Sequence, residues 1–432
     1  MQCMWKNRRF AAVTLMSGGL TLSTTALGQP VQETLFVANN VSDNISVFTV
    51  NTDGTLTEVV GSPFSAGQDT EALALSPDGR YLVATNAGLP EVEQIWLFEV
   101  ETTGALRPVP GNPWLTGNAP LDLDMSPRGY IYSPCSTDDQ IRVFEIHDNA
   151  LVELPDSPYG TPFFPHEVDT SADGAYVYFS HLSGSIISAY SVGADGRLSV
   201  LPGAPFSLPG SGFELKVSPD GKNPYVGLGL GNAVAGYAVE PTGALVQLAG
   251  SPFSSGATSA VNLAINPSGE FVFVAHVVSD GVTTMARDSA GGLSFVPGSF
   301  QYIGRDVRKI VADDGFVFVT DESAVDPGVG VMIYSYDDQG LLTLIPGSPF
   351  AAGSRPKDME LFIPQAGIPG DLDEDGDVDL DDYALFAACM AGPGESVPPP
   401  GCTQGQFDGA DLDDDVDVDL GDFGGFQGAF AA

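Results

Sequence analysis

The chain has 432 residues, 43% of them hydrophobic, with 16 basic against 56 acidic residues and a formal net charge of −40. That apolar content is enough for a sizeable core. The negative field disfavours nucleic acid and phosphate-rich ligands, whose own charges it repels.

In chain order, the first segment is an export signal. Lys6, Arg8 and Arg9 precede the apolar run FAAVTLMSGGLTLSTTALG, and Ala26 and Gly28 stand at the minus-three and minus-one positions before Gln29. A secretory signal peptide is therefore expected over residues 1–28, leaving 13 basic residues against the same 56 acids. Ser17-Gly18-Gly19 interrupts the run, and no other stretch is long and apolar enough, so no stable membrane span is expected. The expected location is secreted, extracellular or periplasmic.

Residues 29–363 are repetitive. GSPF occurs at 61–64, 250–253 and 347–350, with GNPW at 111–114, DSPY at 156–159, GAPF at 203–206 and the shortened GSF at 298–300, a spacing of 45 to 50 residues. A period of that length marks units that bury their apolar faces only by stacking. Within the unit from 165 to 206, four runs rich in Val, Ile, Tyr and Phe are divided by SADG, LSGS and GADG, which predicts a four-stranded antiparallel meander. SPDG-type turns recur between first and second strands, and each is followed by a strand such as YLVATN, YVYFSH or FVFVAH. This layout predicts an all-β, seven-bladed β-propeller. The chain enters at TLFVANN, a second strand, and leaves the repeats at PKDMELFIP, a first strand, so the last segment is expected to complete the first blade. The repeated aromatics are expected in the core between sheets.

These units resemble the lactonase-like seven-bladed propellers, relatives of 6-phosphogluconolactonase and the carboxymuconate cyclases. The resemblance rests on L-F-V-A-N, N-I-S-V-F, G-T-L-T, G-S-P-F and S-P-D-G and covers about 34–363. It implies the propeller fold and points to Pro165-His166, a pair like the one the cyclase-type members place at their site. Where such members carry an Arg-His pair and an Asn-Glu, this chain reads GFELKV and YVGLGLGN, so Glu214 and either Arg305 or Arg308 are the available substitutes.

First strands line a propeller's axis, and alternate residues point into the channel. Alignment on the SPDG turns gives one ring of Ala72, Asp122, Glu167, Glu214, Asn262, Arg308 and Asp358, and a second of Ala74, Asp124, Asp169, Lys216, Ala264, Ile310 and Glu360. His166 opens a first strand and His181 closes the strand paired with it. His276 holds the His181 position two blades on, so these three histidines are expected at one mouth, with His147 elsewhere on the surface. His166, Glu167, His181, Glu214, His276 and Arg308 are thus the candidate catalytic residues, histidine and carboxylate being able to act as general base and acid.

After an expected linker at 364–370 comes an acidic module at 371–427. DLDEDGDVDLDD places Asp371, Asp373, Asp375, Asp377, Asp379 and Asp382 at loop positions one, three, five, seven, nine and twelve, with Gly376 at six. DLDDDVDVDLGD repeats the acids as Asp411, Asp413, Asp415, Asp417, Asp419 and Asp422, but Val416 replaces the turn glycine. This spacing wraps oxygens round a Ca²⁺ ion, more weakly in the second loop. Leu380, Tyr383 and Phe386, then Leu420, Phe423 and Phe426, put one helical face after each loop. The module resembles a paired type I dockerin, an EF-hand-like Ca²⁺-binding unit. That likeness implies attachment to a cohesin-like or cell-surface protein. Cys389 and Cys402 flank an insert and are expected to pair in an exported chain.

The reading favoured by the sequence is a secreted propeller that binds or displays an unknown ligand, attached through its Ca²⁺-dependent, dockerin-like tail. The alternative is a secreted lactone hydrolase or cyclase, acting on sugar lactones at the channel mouth.

Overall fold

The turn after each inner strand is built by its own side chains. In blade 2, Ser76 Oγ donates to Asp78 Oδ1 (2.5 Å) and accepts from the Tyr81 backbone N–H (2.9 Å). Gly79 closes the turn at φ +67°, and a Cβ there would lie 2.4 Å from the Phe362 ring, so only glycine fits. The same serine–aspartate bond recurs at Ser171–Asp173 and Ser218–Asp220. The computed structural model describes residues 32–87, 93–229, 231–304, 307–321, 330–364, 372, 380–403, 406–407, 410–412 and 417–429. The expected signal peptide, most of the expected linker and most of the first acidic loop lie outside them.

Seven antiparallel sheets stand round an axis, each a four-strand meander with a two-residue fifth segment. Blade 2 shows the pattern: inner strand Thr70–Leu75, then Tyr81–Asn86, Gln94–Val100 and the outer Leu106–Pro108. Trp114–Leu115 then turns back onto the third strand. The GSPF turn explains that return. Its second residue accepts a backbone N–H from the third strand: Val47 to Ser62 Oγ at 2.9 Å, Leu97 to Asn112 Oδ1 at 2.8 Å, Val143 to Ser157 at 3.0 Å, Gly236 to Ser251 at 2.9 Å, Thr284 to Ser299 at 3.0 Å and Ile333 to Ser348 at 3.1 Å. Each such bond contributes about 0.5–1.5 kcal/mol. In blade 4, Ala204 holds that place and has no side-chain acceptor to offer.

Closure follows the expected scheme. Thr34–Asn39 pairs on one side with Asn44–Val50 and on the other with Pro356–Phe362, so blade 1 takes its inner strand from the far end of the repeats. Among the described residues seven apolar clusters each join two neighbouring blades; Phe36 and Val47 of blade 1, for instance, meet Leu73, Leu82 and Phe98 of blade 2. The repeated aromatics do not sit inside these clusters as expected. Phe64, Trp114, Tyr159, Phe206, Phe253 and Phe350 are half-buried and pack on the cluster margins, because the short fifth segment holds them at the outer edge of the sheet. Phe300 is 37% exposed.

The tail forms two ten-residue helices, α1 (Leu380–Cys389) and α2 (Leu420–Ala429). Phe386 packs at a tilt against Phe426 with centroids 4.8 Å apart and against Phe423 at 6.0 Å, so the repeated helical face is self-complementary. Leu420 is an exception at 76% exposed: it is the first residue of its helix, ahead of the contact. Cys389 and Cys402 form the expected disulfide, and Cys135 is buried as a free thiol.

Candidate functional site

The inner strands are not regular to their ends. In blades 2, 4, 5, 6 and 7 the pairing with the second strand slips near the mouth, between Thr70 and Ala72, Pro165 and Val168, Gly212 and Leu215, Ala260 and Asn262, and Val307 and Ile310. In blade 1 the slip lies opposite Asp358 and Pro356. A bulge re-aims side chains, and here it turns two consecutive residues toward the mouth. The result is a pocket of about 130 Å³ lined by Glu71, Leu121, Asp122, His166, Glu167, Glu214, Asn262, Arg308, Lys309, Lys357 and Asp358.

Blade 7 corrects one expectation. Its turn is centred one residue later than expected from the alignment, since the Asp313 backbone N–H donates to the Phe316 carbonyl (3.1 Å) as the Ser126 backbone N–H does to that of Tyr130 (2.9 Å). The buried Lys309 therefore stands in the ring, and Arg308 moves up to the mouth. Ile310 is buried in the interface of blades 6 and 7, not in the channel.

Three ring carboxylates hold blades together. Asp358 Oδ2 accepts the Leu73 N–H of the next blade (2.7 Å), Asp122 Oδ2 that of Val168 (2.8 Å) and Asp169 Oδ2 that of Val217 (2.5 Å). Glu214 is different: only 1% of its side chain is exposed, yet it faces two ammonium groups, Lys216 Nζ at 3.2 Å and Lys309 Nζ at 3.5 Å, and takes a hydrogen bond from Asn262 Nδ2 (2.8 Å). Burial opposes its ionisation, but Lys309, Lys216 and a hydrogen bond from Glu167 outweigh it, and its pKa falls to about 2. Glu167 moves the other way. Burial, then the Glu214 charge, push its carboxyl well above the ordinary range, so a protonated Glu167 donates to an ionised Glu214. Lys309 also reaches Asp358 Oδ1 at 3.0 Å, and Lys357 reaches Glu71 Oε1 at 3.1 Å.

His166 Nδ1 lies 2.8 Å from Glu167 Oε1, although the two are not aligned as a hydrogen bond. Burial lowers the imidazole pKa, with the charge of Asp122 pulling against it, so His166 is neutral near pH 7.

The structure separates the other two histidines from this site. His181 pairs with the start of the inner strand, as its position required, but it is fully buried, donating from Nδ1 to the Phe163 carbonyl (2.9 Å) and accepting at Nε2 from Ser188 (2.8 Å). His276 is equally buried. The Thr283 hydroxyl gives its proton to the Ser255 carbonyl (2.9 Å), so His276 Nε2 must donate to that hydroxyl (2.8 Å). Both histidines tie the end of a second strand to a hydroxyl seven residues on, as Asn39 does to Ser46. His147 is exposed beside Asp148, away from the pocket. His166, Glu167, Glu214 and Arg308 thus come together; His181 and His276 line no part of the pocket. Lys309, Lys357 and Glu71 were not singled out by sequence. Their signal was the doublets Arg308-Lys309 and Lys357-Asp358, two adjacent charges in strands that otherwise alternate.

In the tail, Asp417, Asp419 and Asp422 bring one carboxylate oxygen each within 4.8 Å of one another. Asp422 Oδ1 accepts the Leu412 N–H, and Asp382 Oδ1 the Leu372 N–H, both at 2.6 Å, so the two loops close alike. Hard oxygen donors of this kind suit Ca²⁺. Asp371, Asp373, Asp375, Asp377, Asp379, Asp413 and Asp415 lie outside the described residues, as does Arg305. Among the described residues no helix is long and apolar enough to cross a membrane.

Comparison with known proteins agrees with this architecture. The family model described as "Lactonase, 7-bladed beta-propeller" matches residues 28–154 and 197–302, more than half of the chain. A putative 6-phosphogluconolactonase from Bacteroides fragilis superimposes with a TM-score of 0.65 at 20% identity, covering 77% of this chain and 98% of that one. A second putative 6-phosphogluconolactonase, from Bacteroides uniformis, gives 0.65 at 18% identity, covering 76% and 99%. The periplasmic gluconolactonase PpgL of Pseudomonas aeruginosa gives 0.63 at 19% identity, covering 77% and 99%. No curated protein matches the sequence.

Proposed function

We propose, from the premise that this chain belongs to the seven-bladed β-propeller family of lactonases, that it hydrolyses an unphosphorylated sugar lactone at its channel mouth. The observation that carries the reading is the pairing of a neutral, buried His166 with a proton-bearing Glu167, 2.8 Å apart in one pocket. Groups whose surroundings push them into opposite roles are what acid–base catalysis needs.

In this reading His166 takes a proton from water as its oxygen adds to the lactone carbonyl, and the Arg308 guanidinium at the mouth offsets the charge growing on the carbonyl oxygen. The ring C–O bond then breaks, and Glu167 gives its proton to the departing oxygen. His166 returns the water's proton to Glu167, which restores the starting state. Glu214, held ionised by its two lysines, keeps Glu167 oriented and protonated. Phosphorylated lactones fit less well, because Lys309 and Lys357 already face Asp358, Glu214 and Glu71, and a phosphate would have to compete for them.

The display role read from the tail is supported by no matched protein, and the family match ends at residue 302. We propose for the tail only that its two loops hold Ca²⁺, on the strength of the Asp417, Asp419 and Asp422 cluster, and that the chain works after export, as its first residues suggest. The test of the main reading is hydrolysis by purified protein across phosphorylated and unphosphorylated sugar lactones, beside His166→Ala, Glu167→Gln and His276→Ala. Activity lost in the first two and kept in the third is expected. No activity on any lactone, or equal activity in all variants, would remove the reading.

A further inference from the structure

The mouth tier above the ring consists of Glu71, Leu121, His166, Phe213, Val261, Arg308 and Lys357, one residue per blade. Phe213 is its one phenyl ring, and it stands in blade 5, next to the blade that carries His166. The two rings meet edge to face, with centroids 6.2 Å apart and planes at 73°.

Two further contacts fix Phe213. Its carbonyl accepts a hydrogen bond from Ser180 Oγ of blade 4 (2.7 Å), the blade of His166 itself. Its ring also lies against Gly229, where an added Cβ would be 2.2 Å from Cε2. No other residue fits at 229 without displacing the ring, and φ there is not positive, so the requirement is space alone.

We propose that Phe213, seated over Gly229, is a positioning residue that holds the His166 imidazole beside Glu167. Its effect on rate rests on the lactonase reading; its effect on the imidazole does not. An sp³–sp² torsion such as histidine χ2 is broad, so the ring needs a packing partner to keep one orientation, and an edge-to-face neighbour supplies it without competing for Nδ1. The same ring excludes water from one side of the imidazole. The charges facing His166 are Glu167 on its own strand, Asp122 from blade 3, Glu214 from blade 5, Glu71 from blade 2 and Arg308 from blade 7. Truncation of Phe213 leaves all of them in place.

The experiment is an NMR titration of the histidine side chains in the full chain, with His166 assigned from a His166→Asn variant; only four histidines are present. In Phe213→Ala, and in Gly229→Ala where the ring is displaced, the His166 midpoint should rise by about half a pH unit or more as water reaches the imidazole, while Phe213→Tyr keeps the parent value. His181 and His276 should not move. For a lactone the parent protein hydrolyses, kcat should fall about tenfold in Phe213→Ala with KM little changed. If Phe213→Ala does not fold, Phe213→Leu, which keeps apolar bulk without a ring, replaces it. An unchanged His166 midpoint in a folded variant overturns the proposal, whether or not any lactone is cleaved. A shifted midpoint in a protein that cleaves no lactone sustains the positioning role and sinks only the lactonase reading.

Discussion

Glu360 offers a direct test of the channel electrostatics. It is half-buried on the inner strand of blade 1, where desolvation, and then the neighbouring Asp358, raise its pKa to about 8. An unfolded glutamate, with pKa about 4.3, is ionised throughout the range from pH 6 to 9, whereas the folded one keeps its proton until about pH 8. The native state then binds more protons than the unfolded state, so stability must fall as pH rises through that window. The slope is about 1.4 kcal/mol per pH unit until the folded group itself ionises, about 2 to 3 kcal/mol between pH 6 and 9. Glu360→Gln keeps the shape of the protonated form and cannot ionise. Urea unfolding, followed by fluorescence of Trp96 and Trp114 in blade 2, should give the variant a smaller loss than the parent by about that amount, leaving it the more stable of the two at pH 9. Asp169, raised to about 7 by burial, contributes equally to both proteins and cancels in the comparison. Parallel losses in the two proteins would refute the assignment of a proton-holding Glu360.

Three other outcomes are expected. The rate of lactone hydrolysis should be bell-shaped in pH, with an acid limb below the ordinary histidine value of about 6.5 as His166 is protonated and an alkaline limb well above the ordinary glutamate value of about 4.3 as Glu167 ionises; a rate that rises or falls in one direction only would count against one of the two roles. Lys309→Met should destabilise the propeller by about 3–5 kcal/mol, because it removes an ammonium partner from the ionised, buried Glu214 and from Asp358, and adding Glu214→Gln should recover part of the loss in a double-mutant cycle. Ca²⁺ should bind the intact chain in calorimetry, more weakly once Asp422 is changed to Asn, and chelation should alter the helical part of the far-UV spectrum while the β-sheet signal persists; no heat of binding would count against both loops.

The fold was legible in the sequence because period and turn chemistry are local. A Ser-Pro-Asp-Gly turn and a strand of alternating Val and Tyr each make their own hydrogen bonds, so seven copies at one spacing leave little freedom for the architecture. The site was legible only in part, and the reason is the bulge. A strand read as strictly alternating puts His166 and Glu167 on opposite faces, and likewise Arg308 and Lys309, yet both members of each pair face one pocket. The shorter turn at Asp313 added a second slip, which sent Ile310 into the core. His181 and His276 misled for another reason: position along a strand fixes which end a residue occupies, but not whether its side chain turns toward the axis or toward a hydroxyl on the adjoining strand. The repeated serine of GSPF carried a readable signal that was assigned to its aromatic neighbour, although the hydroxyl is the group that makes the third-strand contact.

The way blade 1 is assembled also bears on how the ring comes into being. Thr34–Asn39 must wait for Pro356–Phe362, more than 300 residues later in the chain, before its open side is paired. Every other blade can form from neighbouring sequence as it emerges, whereas this last pairing has the largest sequence separation in the propeller, the kind of contact that slows folding. Until it is made, a strand with unpaired N–H and C=O groups is presented to any passing chain. Synthesis that stops short of residue 356 therefore yields six complete blades and a sticky edge, so the final seven-residue strand decides whether the product is a soluble ring or an aggregation-prone arc.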